Sequence, residues 1–188
     1  MKTKKRHFLR RTLAFLAVIL LLTGVGYWLL MRALYPLQYE TEIRRYAERD
    51  GISPSLVCAV VCTESHFQPD AVSYADAKGL MQLTDDTYAW VRWKMGKEAP
   101  AADNITDPDT NLQCGIRLLK ELIARYAVTE TALAAYNAGI GNVDRWLTDP
   151  QYSADGKTLS DIPFSETKQY VTKVIKTQKI YQTLYHLS

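Results

Sequence analysis

The sequence predicts a mainly α fold: a helical domain of about 150 residues behind a single N-terminal transmembrane helix. Three observations carry this. Apolar residues recur at three- and four-residue spacing in segment after segment, each opened by a plausible cap. No run of alternating apolar and polar residues marks a strand, and neither GxGxxG nor a P-loop occurs. Leu13 to Met31 contains no charge and follows the basic stretch KTKKRHFLRR.

That apolar run is 19 residues long, about 28 Å as a helix, which matches a hydrocarbon core of roughly 30 Å. Bulky residues from Tyr27 to Met31 stand where small ones would mark a cleavage site, which favours an uncleaved anchor. The Lys/Arg cluster belongs on the cytoplasmic side, which places everything after Arg32 outside. The expected organisation is a cytoplasmic tail over 1–12, an anchor over 13–31, a linker over 32–38 and a single domain over 39–188. The net charge of +3 conceals an asymmetry. Residues 1–35 carry seven basic and no acidic residues, whereas the remainder carries 16 basic against 20 acidic. The basic character therefore belongs to the membrane end, and no nucleic-acid partner is expected.

Past the linker, Thr41 to Arg49 reads as a helix stopped by Asp50-Gly51. The next runs from Ser53 to about Ser65, with Ser53 as expected cap and Pro54 in the first turn. A loop rich in turn formers follows, then the short apolar segment Gly79 to Leu83. Thr84 can cap a helix carrying Tyr88, Trp90, Val91 and Trp93. Asp107-Pro108 opens an amphipathic helix bearing Leu112, Ile116, Leu119 and Ile123. Thr129 is read as the cap of Glu130 to Ala138, which Gly139 ends. Val143 to Leu147 reads as one short helical turn. After a polar loop over 149–163, Ser165 is read as the cap of Glu166 to about Tyr185.

One position breaks the pattern. The stripe Val57, Val60, Val61 continues onto Glu64. A carboxyl at the end of a buried stripe has its charged form disfavoured, so its pKa rises toward the range a general acid needs. The three cysteines, Cys58, Cys62 and Cys114, permit one disulfide or serve as small buried hydrophobes, and with three scattered histidines they make no metal site.

Four segments stand out: TESHFQPDAVS at 63–73, KGLMQLTDDT at 78–87, ALAAYNAGIGNV at 132–143 and IPFSETKQYVTKV at 162–174. In that order they resemble the catalytic domain of the soluble lytic transglycosylases, a goose-type-lysozyme-like family acting on bacterial peptidoglycan. The resemblance covers Tyr39 to about Tyr185. It rests on Glu64, Ser65, Phe67, Pro69, Ala71 and Ser73, on Gly79 to Gln82, on Asn111, Gly115 and Leu119, on Ala135 to Gly139, and on Glu166, Thr167, Tyr170 and Val171. The sequence departs from the family at Asp76-Ala77, where Gly-Ala is usual, and at Thr84 to Asp86, where a proline is common.

The resemblance implies that Glu64 is the single catalytic acid/base and that Ser73 and Gln82 bind sugar on either side of the scissile bond. It implies that Met81, Tyr136 and Asn137 line the cleft, with the Tyr136 hydroxyl against the carboxyl, and that Glu166 and Tyr170 form the far wall. The substrate implied is the glycan strand of peptidoglycan, cleaved between N-acetylmuramic acid and N-acetylglucosamine with a 1,6-anhydro end, without metal or cofactor. Such an enzyme would sit in the bacterial cell membrane, single-pass, with its catalytic domain facing the wall. Two alternatives are a muramidase using water oriented by Asp70, Asp76 or Glu166, and a membrane-tethered peptidoglycan-binding protein without turnover.

Overall fold

A computed structural model describes residues 2–101 and 103–187. It divides into two compact units, Met1–Pro36 and Leu37–Ser188. The first is a single helix, α1 (Lys2–Leu34). Its stretch Phe15–Leu34 is long and apolar enough to cross a membrane. The Arg32 guanidinium lies 4.6 Å from the centre of the Trp28 ring, a pairing suited to a membrane–water boundary.

The second unit is helical throughout: α2 (Glu40–Asp50), α3 (Pro54–Glu64), α4 (Asp85–Met95), a 3₁₀ turn (Gly96–Glu98), α5 (Pro108–Tyr126), α6 (Thr129–Ala138), α7 (Ile140–Thr148) and α8 (Ser165–Tyr185). Among the described residues the only β pairing is two isolated bridges, Val72 with Lys78 and Lys78 with Leu83. The expected all-helical class is observed.

α3 is the core element. Every residue from Ser55 to Cys62 is buried, because α3 packs on α8 along one side and on α2 along another. A helix apolar all round, with small and β-branched residues, fits only such an enclosed position. α5 carries a wide apolar stripe, Leu112, Ile116 and Leu119 all fully buried, and packs against α2, α4 and α6. α6 joins α5 to α8.

The expected caps are partly realised. Thr84 accepts from Thr87 N (3.3 Å) and Asp107 accepts from Thr110 N (2.9 Å). Ser53 does occupy the cap position of α3, yet its hydroxyl bonds Ser55 Oγ instead (2.7 Å) and caps nothing. Thr129 and Ser165 are the first helical residues, so both helices begin one residue earlier than expected; Val128 and Phe164 hold the cap positions. At Phe164 packing prevails over capping, since its ring sits edge-on to Trp146 (4.9 Å). α7 begins three residues earlier than expected. Gly139, at φ 87°, breaks the chain direction in one step. Burial of Val143 and Trp146 then carries the helix through Gly141 in spite of its low propensity.

The cysteines are all free and buried, in keeping with the hydrophobic alternative. Among the described residues Asp50, at the end of α2, is a buried carboxylate with a structural role. It is 1% exposed and meets Arg49 (2.8 Å), Arg117 (3.0 Å) and Lys120 (3.2 Å). Burial opposes its ionisation, but hydrogen bonds from Arg49 and Lys120 outweigh this and hold the carboxyl below its usual pKa. Its stabilising contribution is therefore present above the unfolded carboxyl pKa and is lost as pH falls through the depressed folded value. Asp50→Ala is expected to lower unfolding free energy by about 2 kcal/mol at neutral pH, since it removes the partner of the largely buried Arg117 and of the more exposed Arg49 and Lys120. The deficit should shrink in acid, which urea titrations at pH 7 and pH 3 would measure.

Candidate active site

Glu64 is the last residue of α3. The chain then turns sharply through His66 (φ 52°) and Phe67 (φ 64°), two successive left-handed residues without a glycine. Such a turn is strained unless held from outside. Phe67 holds it by being buried against Tyr181, with ring centres 6.4 Å apart. Ser65 holds it too, its buried hydroxyl donating to Leu80 O (2.8 Å).

That last contact reaches the turn 79–83, which several side chains fix in place. Asn111 of α5, fully buried, accepts from Met81 N (2.7 Å) through Oδ1. Its Nδ2 donates to Lys78 O (3.0 Å) and Ile105 O (2.7 Å). Tyr136 of α6 donates to Met81 O (2.7 Å). Gly79 has φ +79°, and a Cβ there would lie 2.7 Å from Asn111 Cγ. A Cβ on Gly115 would lie 2.7 Å from Met81 Cβ. Asn111 and Gly115 thus serve the same turn from successive turns of α5, one by bonding it and one by making room for it.

Around Glu64 the electrostatics are simple. Burial pushes its carboxyl from 4.5 up to about 7, and the Tyr170 hydroxyl and the Lys173 ammonium only partly offset this. The Tyr170 hydroxyl is itself buried and makes no hydrogen bond of regular geometry among the described residues. Burial, and next the Glu64 charge, raise the hydroxyls of both Tyr136 and Tyr170 well above their ordinary values. α3, α6 and α8 therefore bring together a half-buried acid, a half-buried phenol and a buried one.

The other expected residues divide into three groups. Ser73 is exposed, in a tight turn where its Oγ accepts from Ala77 N (3.2 Å). Gln82, at φ 50°, donates both amide protons to the loop, to Ala71 O (3.0 Å) and Gly79 O (2.9 Å). Toward a ligand it offers only its carbonyl oxygen, not the donor-and-acceptor pair expected from its side chain. Met81 is fully buried, packed against Gly115. Its side chain presents no cleft surface, and its part in the site is played by its backbone. Tyr136 lies close to Glu64 as expected, but its hydrogen bond goes to Met81 O and not to the carboxyl.

Asn137 and Glu166 meet elsewhere. Both line a polar cavity of about 560 Å³, with Phe164 and Thr167, to which Glu64 does not contribute. There Asn137 Oδ1 accepts from Thr167 Oγ1 (2.7 Å), tying the end of α6 to the start of α8. Among the described residues no group of histidine, cysteine and carboxylate side chains could hold a metal ion.

With this geometry in view, the chain was compared with known proteins. The family profile described as "Transglycosylase SLT domain" matches residues 41–158, more than half of the chain. This chain belongs to that family. Membrane-bound lytic murein transglycosylase C of Serratia proteamaculans is 32% identical over 173 residues, covering 77% of this chain and 47% of that protein. The protein of the same name from Pectobacterium atrosepticum is 33% identical over 171 residues, with the same coverage. The chain spans about half the length of these relatives.

Among solved structures, the 70 kDa soluble lytic transglycosylase of Escherichia coli superposes with a TM-score of 0.73 at 29% identity, over 82% of this chain and 26% of that one. It has also been solved in complex with bulgecin A. An inactive mutant of the lytic transglycosylase Slt from Pseudomonas aeruginosa gives a TM-score of 0.70 at 32% identity, over 81% and 25% of the two chains. The SLT domain of this chain thus has the lysozyme-like fold that its motifs suggested.

Residues that sequence reading left without a role now have one. Ser65, Asn111 and Gly115 were visible as members of a spacing pattern, but what they hold is visible only in three dimensions. Lys173 carried no signal at all.

Because the Glu64 carboxyl has a folded pKa above its unfolded one, its ionisation opposes folding. The cost is absent below pH 4.5, grows up to about pH 7 and is constant above. Glu64→Gln is therefore expected to stabilise the protein above pH 7, by on the order of 2 kcal/mol. The gain should vanish near pH 4, as thermal melts of the two proteins across that range would show.

Proposed function

We propose that this protein is a membrane-anchored lytic transglycosylase that cleaves the β-1,4 bond between N-acetylmuramic acid and N-acetylglucosamine in peptidoglycan, leaving a 1,6-anhydro end. The observation that carries the reading is a lone acid. Glu64 is raised to about 7 by burial, and the side chains acting on it are a phenol and an ammonium rather than a second carboxylate. Hydrolytic glycosidases place a second carboxylate about 5–10 Å away to supply a nucleophile or activate water. The carboxylates nearest in sequence do not fit that duty: Asp76 pairs with Lys78 (3.2 Å), and Asp70 and Glu166 are exposed.

With one carboxyl, the nucleophile comes from the substrate. Protonated Glu64 donates to the glycosidic oxygen as the C1–O bond breaks, and the muramic ring gains oxocarbenium character. The resulting carboxylate takes the proton of the C6 hydroxyl of the same ring. The C6 oxygen closes on C1, which regenerates protonated Glu64 and consumes no water. Intramolecular attack has a high effective concentration, which compensates for the missing second carboxylate. Partial burial beside Tyr136 and Tyr170 keeps the acid protonated near neutral pH. Ser73 and the carbonyl of Gln82 serve as polar contacts to the flanking sugars, and Asn137, Glu166 and Tyr170 as the wall toward α8. The relatives' membrane-bound names, the apolar α1 and the basic cluster before it support a single-pass anchor with a cytoplasmic N-terminus and the domain facing the wall.

Digests of purified peptidoglycan, read by mass spectrometry, test this. The wild type should produce anhydro-muramic ends, and Glu64→Gln should lower their rate by at least about a thousandfold. Reducing ends instead would assign the protein to the muramidases. Since the acid must start protonated, kcat/KM should fall as pH rises through about 7. Tyr170→Phe removes one of the groups that lower the Glu64 pKa, so the alkaline limb of its profile should move upward in pH.

A further inference from the structure

α8 is the basic element of an acidic domain. Residues 167–187 contain four lysines and no acidic residue, whereas residues 36–166 contain 12 basic against 20 acidic ones. Lys168 pairs with Asp161 (2.6 Å). Lys173, Lys176 and Lys179 are exposed and make no ion pair among the described residues. They recur at three-residue spacing, so each adjoins the next along the surface of the helix.

One end of this stripe lies at the acid. Tyr170 and Lys173 both act on the Glu64 carboxyl at the end of α3. Further along α8, Gln178 Nε2 donates to Ser55 Oγ in the first turn of α3 (3.4 Å). α8 therefore runs antiparallel to α3, and its lysines lead away from the acid. α3 packs on α8 and brings no charged residue other than Glu64, so nothing on it neutralises the stripe.

We propose that Lys173 and Lys176 bind a carboxylate of the peptide stem carried by the muramic ring on which Glu64 acts, and so select strands whose stems are anionic. The proposal rests on the glycan substrate assigned above. N-acetylhexosamine rings are themselves neutral, so cations beside the strand serve its charged branches. The stem leaves the same ring whose C1–O bond breaks, and it therefore passes the lysine nearest the acid. A lysine suits such a partner, because its flexible arm can follow a mobile peptide where a rigid guanidinium fork would demand one geometry. The absence of acidic side chains along this stretch also draws an anionic branch toward it in the encounter.

The experiment uses the full-length chain in detergent and soluble peptidoglycan fragments. One portion is left untreated, and in the other the stem carboxylates are converted to amides with carbodiimide and ammonia. At low salt the wild-type kcat/KM should be roughly fivefold higher on the untreated fragments, and the ratio should fall as salt is added. Lys173→Gln combined with Lys176→Gln should bring the ratio close to one, and arginine at both positions should keep most of it. Lys157→Gln, at an exposed lysine outside α8, should leave the ratio unchanged. Each ratio compares two substrates on one enzyme, so the effect of Lys173 on Glu64 cancels. A ratio that survives loss of both lysines would overturn the proposal. Peptide-free strands keep a carboxylate on the lactyl group itself. If the two lysines governed a preference for these strands over their amidated form, the contact would be to that group, and the stem assignment would fall. Titration calorimetry in a Glu64→Gln background reads the same charge preference without turnover, so it holds whatever the reaction type. Reducing ends in place of anhydro ends, with the preference intact, would instead reject the transglycosylase reading alone.

Discussion

The backbone of the turn 79–83 is the constraint on which the site depends. Backbone bonds satisfy Gly79, Gln82 and Leu83, but Leu80 O, Met81 N and Met81 O take side-chain partners, and a buried unpaired peptide group is costly. Three helices supply the missing partners: Ser65 at the end of α3, Asn111 in α5 and Tyr136 in α6. Each of these side chains also lies in or beside a functional element. Ser65 follows the acid, and Tyr136 borders it. Satisfying the turn therefore sets the separation between Glu64 and its phenolic neighbour. The demands of folding and of geometry for catalysis fall on the same hydrogen bonds, so the site is preorganised without a dedicated support.

The domain handles two enclosed carboxylates in opposite ways. Asp50 is surrounded by Arg49, Arg117 and Lys120 and is held ionised. Glu64 has only a phenol and the ammonium of exposed Lys173 to offset its burial, and it stays protonated to about pH 7. One carboxylate fastens α2 to α5. The other is left undercompensated at the end of the most enclosed helix, where its reactivity is retained at the expense of stability. The contrast gives Glu64 its distinction on physical grounds, independent of motif.

Much of this was legible in the sequence, and the limits have physical causes. Helical periodicity gave the number and order of the elements, because amphipathic stripes such as that of α5 report directly on burial. The acid was legible because Glu64 interrupts an aliphatic stripe. Local chemistry was less reliable. Ser53, Thr129 and Ser165 look like caps, yet the Ser53 hydroxyl bonds Ser55 and the other two residues fall just inside their helices. The motifs named which segments meet near Glu64 more readily than how each side chain is used. Met81 and Gln82 sit in the right turn, but the tight turn buries one and turns the donors of the other inward. Asn137 and Glu166 face a separate cavity because α6 and α8 meet there through the Asn137–Thr167 bond.

The three buried thiols have a consequence for how this domain tolerates its surroundings. Burial raises Cys58 to about 12 and Cys114 to about 11, and it raises Cys62 as well. Thiolate, the form that reacts with oxidants and disulfides, is therefore scarce at all three positions in the folded state. Modification of these cysteines by a thiol reagent accordingly reports opening of the fold rather than the reactivity of its surface.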